Sequence, residues 1–302
     1  MSGDAARRFC PSCDAADAID TTGPLWPADW RCPACGAGLD ARDGPVRLAP
    51  GLDEIDEGFA LDSFAQLATF EDGHFWFTTR NALIAWLVRR HAPDARRVLE
   101  IGCGTGFTLY ALREAMPCAA ITASELHSRG LVHARRRHPT GVAFLQMDAR
   151  YVRLESAVDL VGAFDVLEHI ADDRAVIGQI HRALAPGGIL IATVPQHPWL
   201  WSAADDIAHH QRRYRRGELA AKLADAGLRV LYRTSFAALT LPLLAAARWR
   251  ARREMVEAEV RPPRLVNAAL KGVFGVEHAL RRLGLPLPFG GSQVMVAQKP
   301  SG

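Results

Sequence analysis

Three glycines at 102, 104 and 106 follow the apolar, partly β-branched run Val98-Leu-Glu-Ile101 in a chain of 302 residues. Such a run makes a buried strand, and the glycines after it let the backbone turn tightly and come close to a bound molecule. A dinucleotide fingerprint would place its third glycine where Phe107 stands, so the spacing points away from NAD. Glu125 and Asp148 each end a later apolar run. A carboxylate at the first of those positions can accept both hydroxyls of a ribose. Farther along comes Asp165-Val-Leu-Glu168-His169. Imidazole suits proton removal near neutral pH, which makes His169 a candidate general base. Asp165, Glu168 and His169 also carry the donor types of a divalent cation site that polarises an acceptor oxygen.

A second chemistry lies near the N-terminus, where Cys10 and Cys13 form one C-x-x-C pair and Cys32 and Cys35 another, with 18 residues between the pairs. Two thiolates of such a knuckle converge on one ion, and two knuckles complete a tetrahedron. The reading is structural Zn2+: four sulfurs leave no position open for substrate, so the metal folds a ribbon. Disulfides would need an oxidising compartment, and no apolar leader follows the first residues, so a cytoplasmic location is expected.

The 49% hydrophobic and 23% charged content is that of a folded globular chain and excludes extensive disorder. A net charge of +3 does not make nucleic acid the default partner. The longest apolar stretch, 236–247, is broken by Pro242 and is shorter than the roughly 18–20 residues of a membrane span.

From residue 96 the pattern alternates strand and helix, as in a parallel sheet covered on both faces. Strands are expected at 98–101, 119–123, 142–146, 158–163, 189–194, 228–234 and 294–298, and helices at 107–115, 128–137, 173–184 and 217–226. Upstream, 53–69 and 71–91 read as helices, and His74-Phe-Trp-Phe77 is either core or the edge of a lid. The chain divides into a zinc ribbon (1–48), a helical linker or lid (49–95), a core (96–236), a helical insertion (237–291), and a last strand with its tail (292–302). In the insertion, after the arginine-rich run 248–253, Leu265, Ala269, Val273, Val276 and Leu280 share one side of an amphipathic stretch. That element either caps the pocket or meets a membrane surface.

The E-x-G-x-G-x-G spacing, the DVLEH run and Leu184-Ala-Pro-Gly-Gly-Ile-Leu-Ile191 together resemble the class I S-adenosylmethionine (SAM) methyltransferases, specifically the DVLEH-type small-molecule enzymes, over residues 96–236. The resemblance implies an α/β fold with a Rossmann-like, doubly wound, seven-stranded sheet, here with an N-terminal zinc ribbon and a helical insertion before the last strand. It implies SAM held by Glu100, Gly102, Cys103, Gly104, Gly106, Glu125, Leu126, Asp148, Ala149 and Phe164, with Asp148 accepting from the adenine amine. It further implies methyl transfer to a small-molecule or lipid-linked acceptor, at O, N or C. The loop Val194-Pro-Gln-His-Pro-Trp-Leu-Trp201, continuing to His209-His210-Gln-Arg-Arg-Tyr214, is similar to a pattern in many bacterial methyltransferases, with His209 where glycine is common. It adds His210 and Tyr214 as catalytic candidates, and His197, Trp201 and Arg213 as pocket candidates. An alternative is an rRNA or tRNA base methyltransferase whose ribbon grips RNA. Oligomerisation, and peripheral contact through 236–290 at the inner face of a membrane, are open.

Overall fold

The structure, a computed structural model, describes residues 5–20, 23–41, 44–55, 59, 63–250, 262–285 and 287–301. The helix expected over 53–69 and the arginine-rich run 248–253 lie partly outside these residues.

The chain begins with β1 (Arg7–Phe9), antiparallel to β2 (Ala16–Ala18), and then reaches β3 (Val46–Arg47). Helices α1 (Ser63–Ala68) and α2 (Phe75–His91) follow. In α2 the buried residues Leu83, Ile84, Leu87 and Val88 recur at three- and four-residue spacing, and the His74 ring accepts the Trp76 N–H as a cap. The alternating region runs β4 (Arg97–Ile101), α3 (Leu109–Ala115), β5 (Ala120–Glu125), α4 (Ser128–Arg137) and β6 (Val142–Gln146). It continues through β7 (Leu154–Glu155), β8 (Val158–Phe164), α5 (Asp173–Ala183) and β9 (Leu184–Pro195). After α6 (Ala203–Ile207) and α7 (Glu218–Asp225) come β10 (Arg229–Phe236), α8 (Leu241–Arg250), α9 (Arg264–Arg282) and β11 (Ser292–Gln298).

The seven expected strands are all present, with ends moved by a few residues, and their sheet order is β10-β11-β9-β8-β4-β5-β6, extended to eight by β3 beside β6. Strands β3 to β9 of this sheet pair in parallel, whereas β11 is antiparallel to both β9 and β10. In β4 the last four residues are all buried, because helices cover both faces. Alternation sends Val98 toward Leu83, Leu112 and Leu131, and sends Leu99 and Ile101 toward Val161, Ile177 and Ile180.

The ribbon shares the second of those layers. Trp26, Trp30, Cys10 and Cys32 pack into one cluster with Val158 and Ile180, and β1 pairs with β7. The Arg8 guanidinium lies about equally between Trp26 and Trp30, at 6.0 and 5.9 Å from their ring centres, and bonds Asp17 at 2.9 Å. The N-terminal segment therefore shares the core of the eight-stranded sheet.

The buried face of α9 differs from the apolar side expected for it. Leu265 is 85% exposed and Val276 53%, while Phe274, Glu277 and Arg281 turn inward. The reason is an internal ion pair: Arg281 bonds Glu277 at 2.7 Å, and Glu277 accepts the Leu239 N–H at 2.8 Å. Two opposite charges that satisfy each other and the backbone can face the protein, leaving the apolar stripe outside. Among the described residues no helix is long and apolar enough to cross a membrane.

Candidate functional site

From β4 the chain winds outward through β5 and β6, then returns to lay β8 and β9 on the other side of β4. The carboxyl ends of β4 and β8 thus flank a topological switch point, where open α/β sheets bind ligands. A cavity of about 640 Å3 opens there. Gly102 to Thr105, Glu125, Leu126, Asp148 and Ala149 line one end, and Asp165, Glu168, His169, His210, Arg213 and Arg248 the other. Aromatic residues line it as well, including Phe64, Phe70, Phe75, Trp76 and Phe77, so the aromatic run that opens α2 edges the cavity as well as packing.

At the first end Gly102 and Gly104 hold φ of 68° and 53°, the left-handed region where side chains are strained. The Glu125 carboxylate accepts the Gly104 N–H at 2.9 Å and the Leu126 N–H at 2.8 Å, so the acid after β5 shapes the glycine turn directly. Burial pushes its carboxyl pKa up and those donors oppose the rise. Asp148 accepts the Arg150 N–H at 2.8 Å and its guanidinium at 2.9 Å. The turn is also tied to the helices: Thr105 donates to Glu71 at 2.6 Å, and Arg137 bonds the same carboxylate at 2.6 Å. Asn81 of α2 donates to the Phe107 carbonyl at 2.8 Å.

Eight of the ten residues assigned to the cofactor line the cavity; Glu100 and Gly106 do not. Glu100 is 1% exposed beneath the turn, and burial drives its carboxyl up to about 8. At Gly106, φ is 79°, and an added side chain would meet Ala134 of α4 at 2.8 Å, so this glycine serves helix packing. Thr105, His127, Met147 and Arg150 line the cavity without having been singled out in the sequence. Their only signal was adjacency to the strand-end acids and the glycine turn.

At the second end Asp165 pairs with Arg80 and accepts the Thr193 hydroxyl at 2.9 Å. Asp205, fully buried, is a hub: it accepts His210 Nδ1–H at 2.8 Å, Arg213 at 2.7 Å, and Arg248 at 2.9 Å. These donors outweigh burial and hold its carboxyl well below the usual range. Glu168 is 1% exposed and burial pushes its carboxyl well up. Burial, then the neighbouring His210, lowers the His169 imidazole to about 3. An imidazole lowered in this way takes a proton less readily near neutral pH.

Of the loop candidates, His210 and Arg213 reach the cavity, whereas Tyr214, His197 and Trp201 do not. The correction is clearest for Tyr214: it is fully buried, its hydroxyl donates to Asp173 at 2.6 Å, and Lys222 sits 5.0 Å from its ring centre. Its phenol secures α5 to the loop and lies off the cavity lining. His197 packs on Phe289 and Trp201 bonds Asp206 at 3.0 Å. His209 takes φ 55°, so the backbone keeps the conformation that glycine would supply.

The insertion forms a wall of the same cavity. Leu244 and Arg248 of α8 line it. From α9, Asn267 accepts the Phe75 N–H at 2.8 Å and donates to the Gly73 carbonyl at 2.9 Å, and Phe274 packs on Phe75 and Phe236. The four N-terminal cysteines lie apart from the cavity, with Sγ atoms 3.7 Å (Cys10–Cys35) and 3.6 Å (Cys13–Cys32) apart. A tetrahedron with about 2.3 Å zinc–sulfur bonds has edges of about 3.8 Å, so the donor set fits Zn2+.

Residues 73–233 match the family described as "Methyltransferase domain". Trans-aconitate 2-methyltransferase of Azoarcus sp. (strain BH72) is 31% identical over 140 residues, 46% of this chain and 53% of that protein. The enzyme of the same name from Methylobacterium nodulans is 35% identical over 132 residues, 43% of this chain and 48% of that protein. The chain thus spans about half the length of these curated relatives. Among solved structures, the [4+2]-cyclase SpnF superposes with a TM-score of 0.50 at 22% identity, covering 75% of this chain and 83% of that one. That likeness concerns the fold alone.

Proposed function

The chain belongs to the methyltransferase domain family as a SAM-dependent enzyme, and on that premise we propose that it methylates an oxygen of a small anionic acceptor. The carrying observation is that the guanidinium groups of Arg213 and Arg248 line the acceptor end of the cavity. Guanidinium groups are planar, always charged donors matched to carboxylate oxygens, which favours an anionic guest. The relatives named for trans-aconitate, a tricarboxylic acid, support the same class.

SAM supplies an electrophilic methyl group, and the protein's part is to hold donor and acceptor in line. Glu125 and Asp148 would take the ribose and adenine, and the aromatic lining would exclude water from the sulfonium. An acceptor that is already an anion needs no base, which agrees with the weakly basic His169. Calorimetry is expected to show micromolar SAM binding, weakened about tenfold or more in Glu125→Ala. Turnover of methyl-labelled SAM with di- and tricarboxylic acids is expected to give alkali-labile methyl esters. Label transferred only to catechols, amines or RNA would overturn the reading.

The exposed Leu239, Leu243, Leu265 and Leu283, beside Arg264 and Arg282, support a lipid-linked version of that acceptor approaching along the insertion. The ribbon's aromatic residues are buried against the sheet, which favours a bracing role over gripping RNA. We assign Zn2+ to its four thiolates. Cys13→Ser is expected to lose one equivalent of zinc and several degrees of melting temperature, read by metal analysis and calorimetry; a variant with unchanged zinc content would refute the assignment.

A further inference from the structure

In the acceptor half of the cavity, away from the glycine turn, a buried carboxyl and two imidazoles converge without bonding one another. Glu168 is 1% exposed, and neither of its carboxyl oxygens has a hydrogen-bond partner among the described residues. His169 is held through a bond with the Ala208 backbone, and its Nδ1 is likewise without a partner. His210 donates its Nδ1–H to Asp205 at 2.8 Å, which leaves the Nε2 lone pair 4.0 Å from Glu168. One ligand atom from each of the three lies within 4.8 Å of the other two. Glu168 and the His169 Nδ1 bond neither each other nor His210, and burying polar atoms unpaired is costly.

We propose that Glu168, His169 and His210 bind a divalent first-row metal ion that grips the acceptor's anionic oxygen. Two imidazoles and a carboxylate bind ions of the zinc type and leave coordination positions open. The Asp205–His210 bond is the outer-sphere support such a ligand needs, since it fixes the tautomer and aims Nε2. Asp165 is excluded from the set because Arg80 and Thr193 occupy it, so His210 replaces it as third ligand.

The inference rests on the methyltransferase reading for its purpose. With the ion in place, the acceptor oxygen forms the new O–CH3 bond as the C–S bond breaks. The electron pair goes to sulfur, and S-adenosylhomocysteine leaves.

The test is equilibrium dialysis of the full chain against micromolar Zn2+. Metal per chain is counted for the wild type, Glu168→Gln and His210→Ala, with SAM calorimetry and thermal melting on each. The expected result is one equivalent of zinc fewer in both variants than in the wild type, with SAM affinity within about twofold. The difference, rather than the total, reports the site, because the cysteine cluster contributes equally to all three. The same zinc content in the wild type and in a folded Glu168→Gln protein would overturn the metal site. Absence of SAM binding in the wild type would overturn the methyltransferase reading instead and leave the zinc difference standing. Should His210→Ala fail to fold, the near-isosteric Glu168→Gln decides alone.

Discussion

Alanine at Gly106 is expected to destabilise the protein by about 2–4 kcal/mol, whereas alanine at Gly104 costs about 1 kcal/mol and weakens SAM binding about tenfold or more. Both glycines have positive φ, 79° and 53°, so each substitution carries the left-handed penalty. They differ in what the new methyl group meets. At Gly106 it would stand 2.8 Å from Ala134 Cβ and 2.9 Å from its Cα, both fixed on α4, so relief requires two helices to separate. At Gly104 the nearest atom is Phe64 Cε1 at 4.0 Å, so the protein makes room. That room is the cavity itself, and the methyl group would stand where the turn must approach the cofactor. Urea unfolding and SAM calorimetry on the two variants separate the effects. Equal stability losses would mean that α3 and α4 move apart freely. Undiminished SAM affinity in Gly104→Ala would place the cofactor elsewhere.

The same contrast shows what a sequence can carry. Glycine spacing, strand-end acids and paired cysteines are local patterns, each imposed by one turn or one ion, and their positions around the sheet follow once the strands alternate with helices. The chain read in this way locates Glu125, Asp148 and the four thiols where the structure has them. Partners distant in sequence leave no local mark. Tyr214 is a candidate through the loop pattern it shares with His210 and Arg213, yet Asp173, 41 positions earlier, claims its hydroxyl. In α9 the apolar stripe was visible but its orientation was not, because the internal Glu277–Arg281 pair made a polar face fit for burial. Strand β3 is two residues long, and its partner in the sheet, β6, lies far along the chain.

Asp205 is the least legible of the consequential residues, and its replacement by asparagine is expected to cost about 3–5 kcal/mol, the usual loss when one member of a buried ion network is neutralised. Its carboxylate is fully buried and serves Arg213 and Arg248, whose side chains are 5% and 12% exposed, together with His210 and the Ser202 N–H. An amide can still accept from one of these but cannot balance two guanidinium charges. The sign with pH follows from the lowered carboxyl of Asp205. In the unfolded chain this acid titrates near 3.8, and in the folded protein below that. Its contribution is therefore fully present above the unfolded value and is lost as pH falls through the folded one. The stability gap between wild type and Asp205→Asn should accordingly be flat from about pH 5 to 8 and should narrow in more acid solution. Urea unfolding across that range measures it. A gap that stayed constant down to the acid transition would show that the asparagine disturbs packing and that the charge is not what holds the loop, α8 and the cavity wall together.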